Sequence, residues 1–504
     1  MPSINEPVLR FTLVAGEGCA QTHQLEGLAV ATPCGFKSRL LHHSHLACMQ
    51  QTALNKNIFR AYDIRGIADR DLTDDVVYRI GLAFGTTLRR LGKNQATLGR
   101  DVRPSSNRIR TALLKGITET GVNVRELGMV ATPVFYFSIR HFQADGGIVI
   151  TGSHNPAEFN GLKICIGNDT IAENEIQELR KLAESGDFAA GNGAVTEADI
   201  HGPYKQYFLK HFKFKKKFKV VVDSGNGTGG IVNPMIIRSL GHEVIELYSD
   251  PDSRFPNHHP DPTVEKNLKD IIKKVKDTKA DVGFAYDGDA DRIGVIDDQG
   301  EIIWGDKLMI LFARDILLEK GKGTFVAEVK CSQTFYDDVR KRGGNAVMWK
   351  AGHSLIKQKM KETNADLGGE MSGHIFFRDR YFGYDDALYA SCRTLEIMDK
   401  TDGKLSTLLS DVAKTFATPE IRMEIENDDR KFQIIRKVIE YFKQDKRYEV
   451  IDIDGVRIVF PDGWGLVRAS NTQPVLVLRF EAVSEKRLAE IQELIEGKVR
   501  EFSQ

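Results

Sequence analysis

Bulk charge is missing from this chain. Across 504 residues, 70 Lys and Arg stand against 70 Asp and Glu. Nothing general draws it to nucleic acid or an acidic membrane, so any anion site must be built locally. Cysteine is scarce: six residues, scattered without a paired framework. That excludes a disulfide-stapled fold and fits a reducing cytoplasm. No apolar run approaches the roughly 20 residues that cross a bilayer. The first residues carry Glu6 and Glu17 and lack the basic-then-apolar order of a secretory signal. Standard zinc spacing is absent too: Cys34, Cys48 and the cluster His42, His43 and His45 match no ligand pattern.

What is abundant is glycine, 45 residues, which suits many strand-to-helix turns. The length is too great for one core and predicts three or four domains. Residues 1–57 show little periodicity and read as a disordered extension, or as sequence ahead of a true start at Met49. From Phe59 the pattern becomes regular. A helix is predicted from Thr73 as N-cap, with Val76, Val77, Ile80, Phe84, Leu88 and Leu91 on its buried face. Strands at Ala96–Leu98 and Val122–Leu127 alternate with helices, closing an α/β unit over 58–198. A second unit, 199–301, opens with Val220–Asp223 running into the glycine loop Ser224–Gly230. That loop lacks the Lys-Ser/Thr ending of a P-loop and reads as a tight turn. A third α/β unit spans 302–413. In 414–504 the strands cluster between two helices, which predicts a small α+β domain with an antiparallel sheet.

Four loops carry the chemistry. The apolar strand Ile148–Ile150 ends in Thr151-Gly152-Ser153-His154-Asn155-Pro156, a hydroxyl and an imidazole at the carboxyl end of a strand, where open α/β sheets bind ligands. The plainer alternative is an ordinary turn. Asp287-Gly288-Asp289-Ala290-Asp291-Arg292 can aim three carboxylates at one point, an oxygen set that suits Mg²⁺. No bidentate Glu follows to make an EF-hand, and a solvated acidic turn is the competing reading. Arg292 is placed to meet a phosphate on the same cation. Glu370, Ser372 and His374 stand in the glycine-rich turn Gly368–His374 and offer acceptors and a donor to sugar hydroxyls. Arg468-Ala469-Ser470-Asn471-Thr472-Gln473-Pro474 makes a compact nest for a phosphate dianion.

Taken together, TGSHNP, DGDADR, GEMSGH and RASNTQP, with FRAYDIRG, FPNHHPDP and WKAGHSLIK, resemble the α-D-phosphohexomutase family over roughly residues 58–504. The resemblance implies four domains, three related mixed α/β units and a smaller α+β lid. It implies Ser153 carried as phosphoserine, with Asp287, Asp289, Asp291 and a phosphoserine oxygen holding Mg²⁺ and Arg292 contacting the phosphoserine. Lys163 and His374 become candidates for acid–base work, with Arg65 and Tyr62 beside them and His154 supporting the serine loop. Lys330 and His353 would orient the sugar, Glu370 and Ser372 would grip its hydroxyls, and Arg468, Ser470, Asn471 and Thr472 would bind the phosphate that is not transferred. The implied reaction interconverts hexose 6-phosphate and hexose 1-phosphate, mannose or glucose, through a hexose 1,6-bisphosphate that also serves as activator. Such a protein is expected to be a cytoplasmic monomer that handles small sugar phosphates and neither nucleic acid nor membrane.

Three alternatives stay open. The phosphoglucosamine mutase branch usually has Ala where Gly152 stands and Gln where Met371 stands. A Mg²⁺-dependent sugar-phosphate phosphatase would release inorganic phosphate without isomerisation. A non-catalytic sugar-phosphate binder would keep the fold alone.

Overall fold

The computed structural model describes residues 54–470 and 475–504. The Cys/His cluster and the Met49 start lie outside them. Order is already present at Leu54, which is buried in the first core, and at Asn55, whose side chain bonds Asp71 at 3.2 Å. The packed chain therefore starts before the boundary expected at 58.

Four sheets order the compact unit Thr52–Gln504. The first contains β1 (Ile64–Ile67), β2 (Gln95–Arg100), β3 (Asn123–Met129), β4 (Gly146–Ile150), β5 (Phe159–Ile166), β6 (Asp169–Thr170) and β7 (Val195–Glu197). The second contains β8 (Lys219–Asp223), β9 (Glu243–Leu247), β10 (Val282–Tyr286), β11 (Ile293–Ile296) and β12 (Ile302–Ile303). The third contains β13 (Thr324–Glu328), β14 (Asn345–Trp349), β15 (Leu367–Gly369) and β16 (Ile375–Phe377).

These three sheets repeat one plan. The central orders are β5-β4-β2-β3, β11-β10-β8-β9 and β16-β15-β13-β14. In each, the last three strands are parallel and the first is antiparallel to its neighbour. The serine, aspartate and sugar loops occupy the same place in this plan. Each leaves the carboxyl end of a parallel strand, β4, β10 or β15, and turns into the antiparallel one. The repeat thus delivers three chemically different loops in one topological position.

The fourth sheet is wholly antiparallel: β17 (Phe416–Ala417), β18 (Ile421–Glu424), β19 (Glu449–Ile451), β20 (Val456–Phe460), β21 (Gly463–Ala469) and β22 (Val475–Ala482). Its phosphate loop is the connection from β21 to β22.

Helix α1 (Asp74–Arg90) forms for the reasons its sequence offers. Thr73 Oγ1 accepts from Val76 N–H, and Asp74 and Asp75 fill the first turn, where the helix dipole favours negative charge. Leu91 departs from the expected face: the helix ends at Arg90, and Leu91, its C-cap, is 55% exposed. Helix α2 (Ser105–Glu119) crosses α1 closely, since a Cβ on Gly116 would lie 2.3 Å from the Tyr78 carbonyl. Helices α3 (Thr132–His141), α4 (His201–His211), α5 (Gly305–Lys320) and α8 (Ala387–Lys400) pack with the inner faces of the first three sheets in one shared core. Helices α6 (Gln333–Lys341) and α7 (His353–Thr363) flank the third sheet. Helices α9 (Asp428–Gln444) and α10 (Glu485–Ser503) cover the fourth.

The fourth sheet is fastened beside the third one. The Arg457 guanidinium lies 3.7 Å from the Trp464 ring centroid and donates to the carbonyls of Val329 and Cys331. Trp464 is fully buried against Val329; removing a buried aromatic of this size costs about 3–5 kcal/mol.

Candidate functional site

Ser153 lies at the turn between β4 and β5 with a φ of +48°, a left-handed backbone that a serine holds only when its surroundings insist. Its hydroxyl is not displayed to solvent, as a tip would be; the residue is 6% exposed. Ser153 Oγ donates to Asp287 Oδ2 at 2.9 Å and sits 3.1 Å from His154 Nδ1. The His154 imidazole is held well below its ordinary value by burial and by the nearby Arg292 and Arg65 charges.

The aspartate loop reaches Ser153 from the second sheet. One oxygen from each of Asp287, Asp289 and Asp291 lies within 4.8 Å of the others. Asp287 Oδ1 accepts the N–H groups of Asp291 and Arg292, both at 3.1 Å. Asp289 Oδ2 accepts from the hydroxyls of Thr132 at 2.6 Å and Thr151 at 3.0 Å. The Lys163 ammonium pairs with Asp289 at 3.0 Å and with Asp291. Burial, then Asp291 and Asp289, pushes the Asp287 carboxyl far up. Burial works against charge on Asp289 as well, but Lys163 and the two threonine hydroxyls more than offset it and hold that carboxyl below the usual range. Burial likewise opposes charge on Lys163, and Asp289 and Asp291 overcome it.

This arrangement fits a hard divalent cation. Asp289 Oδ1 and Asp291 Oδ1 are buried oxygens with no hydrogen-bond donor. Hard oxygen donors converging on one point are the set Mg²⁺ takes, with positions left for a phosphate oxygen. Three carboxylates against the Lys163 ammonium and the Arg292 guanidinium also leave a negative surplus for such a cation to balance.

The sugar loop is strapped to the aspartate loop by its backbone. Arg292 and His374 form an antiparallel bridge, and Ile293 N–H donates to Gly373 O at 3.1 Å. Arg292 Nε donates to His374 Nε2 at 2.9 Å, and Arg292 Nε lies 4.0 Å from Asp287 Oδ2. His374 Nδ1 lies 3.0 Å from Asp385 Oδ2. With Nε2 engaged, His374 must release Arg292 before it can accept a proton there. Glu370 accepts from Gly352 N–H at 2.6 Å and from Ser372 Oγ at 3.3 Å.

A chain of contacts runs on to the fourth sheet. Gly352 is followed in the other direction by Ala351, whose N–H donates to Asp454 Oδ2 at 3.1 Å; that same oxygen accepts from Arg468 Nε at 3.0 Å. Ser470 lies beyond Arg468, and its carbonyl accepts from Lys431 Nζ at 2.6 Å. Asn471 and Thr472 lie outside the described residues. Lys330 is committed to carboxylates, 2.7 Å from Glu420 and 3.5 Å from Glu328; burial pushes Glu328 up to about 8. His353 opens α7 with its ring 5.1 Å from that of Tyr62, and burial holds its imidazole well down. Arg65 pairs with Asp63.

Sequence reasoning missed Thr132, Asp385 and Asp454, which sit outside every recognisable motif. It also gives no task to Asp101 and Arg103, which follow the strand at Ala96–Leu98, or to His259 of the FPNHHPDP motif.

Comparison with known proteins follows the same four segments. The family model described as phosphoglucomutase/phosphomannomutase, alpha/beta/alpha domain I, matches residues 56–190. The corresponding models for domain II, domain III and the C-terminal domain match 203–300, 304–416 and 420–498. The chain is similar to the phosphomannomutase/phosphoglucomutase of Pseudomonas putida, 43% identical over 452 residues, covering 89% of this chain and 96% of that protein. It is similar to the phosphoglucomutase of Neisseria meningitidis serogroup A, 43% identical over 439 residues and covering 87% and 95%. Among solved structures, a phosphoglucomutase/phosphomannomutase family protein from Burkholderia thailandensis superposes with a TM-score of 0.83 at 40% identity, covering 89% and 98%. A putative phosphomannomutase from Thermus thermophilus, at 22% identity and a TM-score of 0.76, shares the fold.

Proposed function

Because the chain belongs to the phosphoglucomutase/phosphomannomutase family, we propose that it interconverts hexose 6-phosphate and hexose 1-phosphate, of mannose and of glucose, with Ser153 as the phosphoryl carrier. The observation that carries this reading is the 2.9 Å contact of Ser153 Oγ with Asp287, at the mouth of the carboxylate cluster.

In the forward step the phosphoserine Oγ–P bond breaks as a P–O bond forms to the free sugar hydroxyl. The hydroxyl proton passes to His374 once its Nε2 is free of Arg292, Ser153 Oγ leaves and takes up a proton, and the product is a hexose 1,6-bisphosphate; Lys163, already held charged by Asp289 and Asp291, can give a proton but not take one. After this intermediate turns over in the cleft, its other P–O bond breaks as Ser153 Oγ gives up its proton and takes that phosphoryl group, and the freed sugar oxygen takes up a proton. Such transfer is positioning and charge neutralisation more than covalent chemistry. Mg²⁺ held by Asp287, Asp289 and Asp291 would supply positive charge to the phosphoryl oxygens. Arg292 adds a fixed positive charge beside Asp287. Glu370 and Ser372 offer hydrogen bonds to sugar hydroxyls, and Arg468 with the 470–472 loop anchors the phosphate that stays put.

Substrate class follows from the same loops. Gly152 and Met371 stand where the glucosamine branch usually has Ala and Gln. Here an added Cβ on residue 152 would lie 2.2 Å from Arg103 Nε, so alanine is not a free exchange in this chain. A coupled assay tests the reading, using mannose 1-phosphate, glucose 1-phosphate and glucosamine 1-phosphate with Mg²⁺ and a trace of glucose 1,6-bisphosphate. The two neutral hexose phosphates should turn over. Release of inorganic phosphate without isomerisation would replace the mutase with a phosphatase.

A further inference from the structure

The serine loop has an unusual backbone economy. Arg103, 1% exposed, donates from Nη2 to the carbonyls of Ser153, at 3.0 Å, and Asn155. From Nη1 it donates to those of Pro156 and of Phe159, at 2.9 Å. Its Nε lies 3.2 Å from Asp101 Oδ2, which accepts the Gly152 N–H at 2.8 Å. The remaining carbonyl in the run, that of His154, contacts His259 Nε2. Carbonyls 153 to 156 are thus each met by one of two side chains.

One segment of the second domain, Phe255–Pro262, the FPNHHPDP motif, supplies His259 and packs against Arg103. The Arg103 guanidinium lies 5.8 Å from the Phe255 ring centroid. Neighbouring Asn257 bonds Asn226 at 2.8 Å, and His258 Nε2 lies 3.0 Å from Asp223. Those partners begin and line the glycine loop 224–230. Gly225, at φ +51°, admits Pro260, since a Cβ there would lie 2.9 Å from Pro260 Cβ. The glycine loop, a tight turn and no P-loop, therefore carries a brace.

We infer that Arg103 and His259 are positioning residues for phosphoryl transfer: together they hold the strained backbone at Ser153 so that its oxygen faces the aspartate cluster. A guanidinium is a rigid planar fork, and only that shape spans carbonyls on both sides of the turn. Lysine offers a single point charge in its place. Misplacing a reacting oxygen by about 1 Å costs on the order of 10²-fold in rate without weakening sugar binding. The inference rests on Ser153 as carrier, and the test separates the two ideas.

The experiment uses the full-length protein with Mg²⁺ and compares the wild type with Arg103→Lys, His259→Leu and His259→Gln. Readouts are kcat and KM for glucose 1-phosphate, the rate at which glucose 1,6-bisphosphate phosphorylates Ser153, and thermal unfolding. Arg103→Lys should lower kcat and the phosphorylation rate by about 100-fold with KM within about twofold. His259→Leu should lower kcat about tenfold, the equivalent of one hydrogen bond. His259→Gln, which keeps a donor, should recover most of that loss. If Arg103→Lys does not fold, the His259 pair decides alone: equal rates for Leu and Gln overturn the inference. Rates in folded Arg103→Lys equal to wild type overturn it too, as does a fall confined to KM. A wild type that never phosphorylates Ser153 would instead sink the mutase reading.

Discussion

Ser153 Oγ donates to Asp287 Oδ2 at 2.9 Å, joining residues 134 positions apart. The bond belongs to the unmodified serine. Phosphorylation removes the hydroxyl proton and brings about −1.5 to −2 charge to the same spot, facing buried carboxylates. Lys163 and Arg292 offset part of that charge. A cation bound by the three aspartates would supply the rest, so phosphorylation and metal binding should reinforce one another.

The first consequence concerns the metal. Calorimetric titration with Mn²⁺ should detect one site, and Asp289→Asn should weaken it at least tenfold. Mg²⁺ should raise the unfolding temperature of the phosphorylated protein more than that of the dephosphorylated one, because a ligand stabilises by RT ln(1 + [L]/Kd). An equal rise for both forms would remove the proposed coupling.

The fourth sheet supplies a separate test. Arg468 is buried and tied to Asp454, which is tied in turn to the backbone at Ala351. Arg468→Gln should raise KM for glucose 1-phosphate by about 10- to 100-fold, the worth of a charge-assisted contact. Phosphorylation of Ser153 by saturating glucose 1,6-bisphosphate should change little. Steady-state kinetics with both substrates checks the split.

These loops could be read in the sequence because each packs its chemistry into a few consecutive residues. The spacing of Asp287, Asp289 and Asp291 already lets three carboxylates meet at one point, a set that suits a cation. The braces could not be read. Arg103 meets Pro156, His259 meets His154 and Thr132 meets Asp289 across dozens of residues, through a topology that no local pattern reveals. The same divide runs through the fold. Thr73 and the period from Val76 to Leu88 mark α1 clearly, whereas Leu91 continues that pattern past the point where the helix stops. Strand β9, Glu243–Leu247, escaped notice because it is an edge strand with two glutamates and no fully buried residue. Strand β11 is four buried residues directly after the aspartate loop, too short for a periodic signal.

Stability should carry a histidine-dependent acid limb. His242 packs edge-on to Phe214, 4.5 Å between ring centroids, and accepts from the Phe218 N–H at 3.3 Å. Burial pushes its imidazole down to about 4. The unfolded chain takes up a proton near 6.5 while the folded one stays neutral. This contribution is therefore fully present above pH 6.5 and is lost as pH falls toward 4, amounting to about 3 kcal/mol at most. Urea unfolding at pH 7 and pH 4.5 should show the loss in the wild type and a smaller one in His242→Gln. Identical pH dependence in the two would reject the assignment.

Residues 1–48 precede the packed chain, whose first core already includes Leu54, Ile58 and Phe59. Their deletion should leave kcat and KM within about twofold and the unfolding temperature unchanged. A truncated protein that fails to fold would show that this segment has a structural task.

The most direct measurement follows a phosphoryl group on one residue. The protein is treated with glucose 1,6-bisphosphate and Mg²⁺, freed of small molecules, and mapped by peptide mass spectrometry before and after excess glucose 1-phosphate. One phosphoryl group should appear on Ser153 and then leave as glucose 1,6-bisphosphate, and Ser153→Ala should neither acquire it nor turn over substrate. Phosphate on another residue, phosphate that stays on Ser153, or undiminished turnover by Ser153→Ala would contradict Ser153 as the carrier.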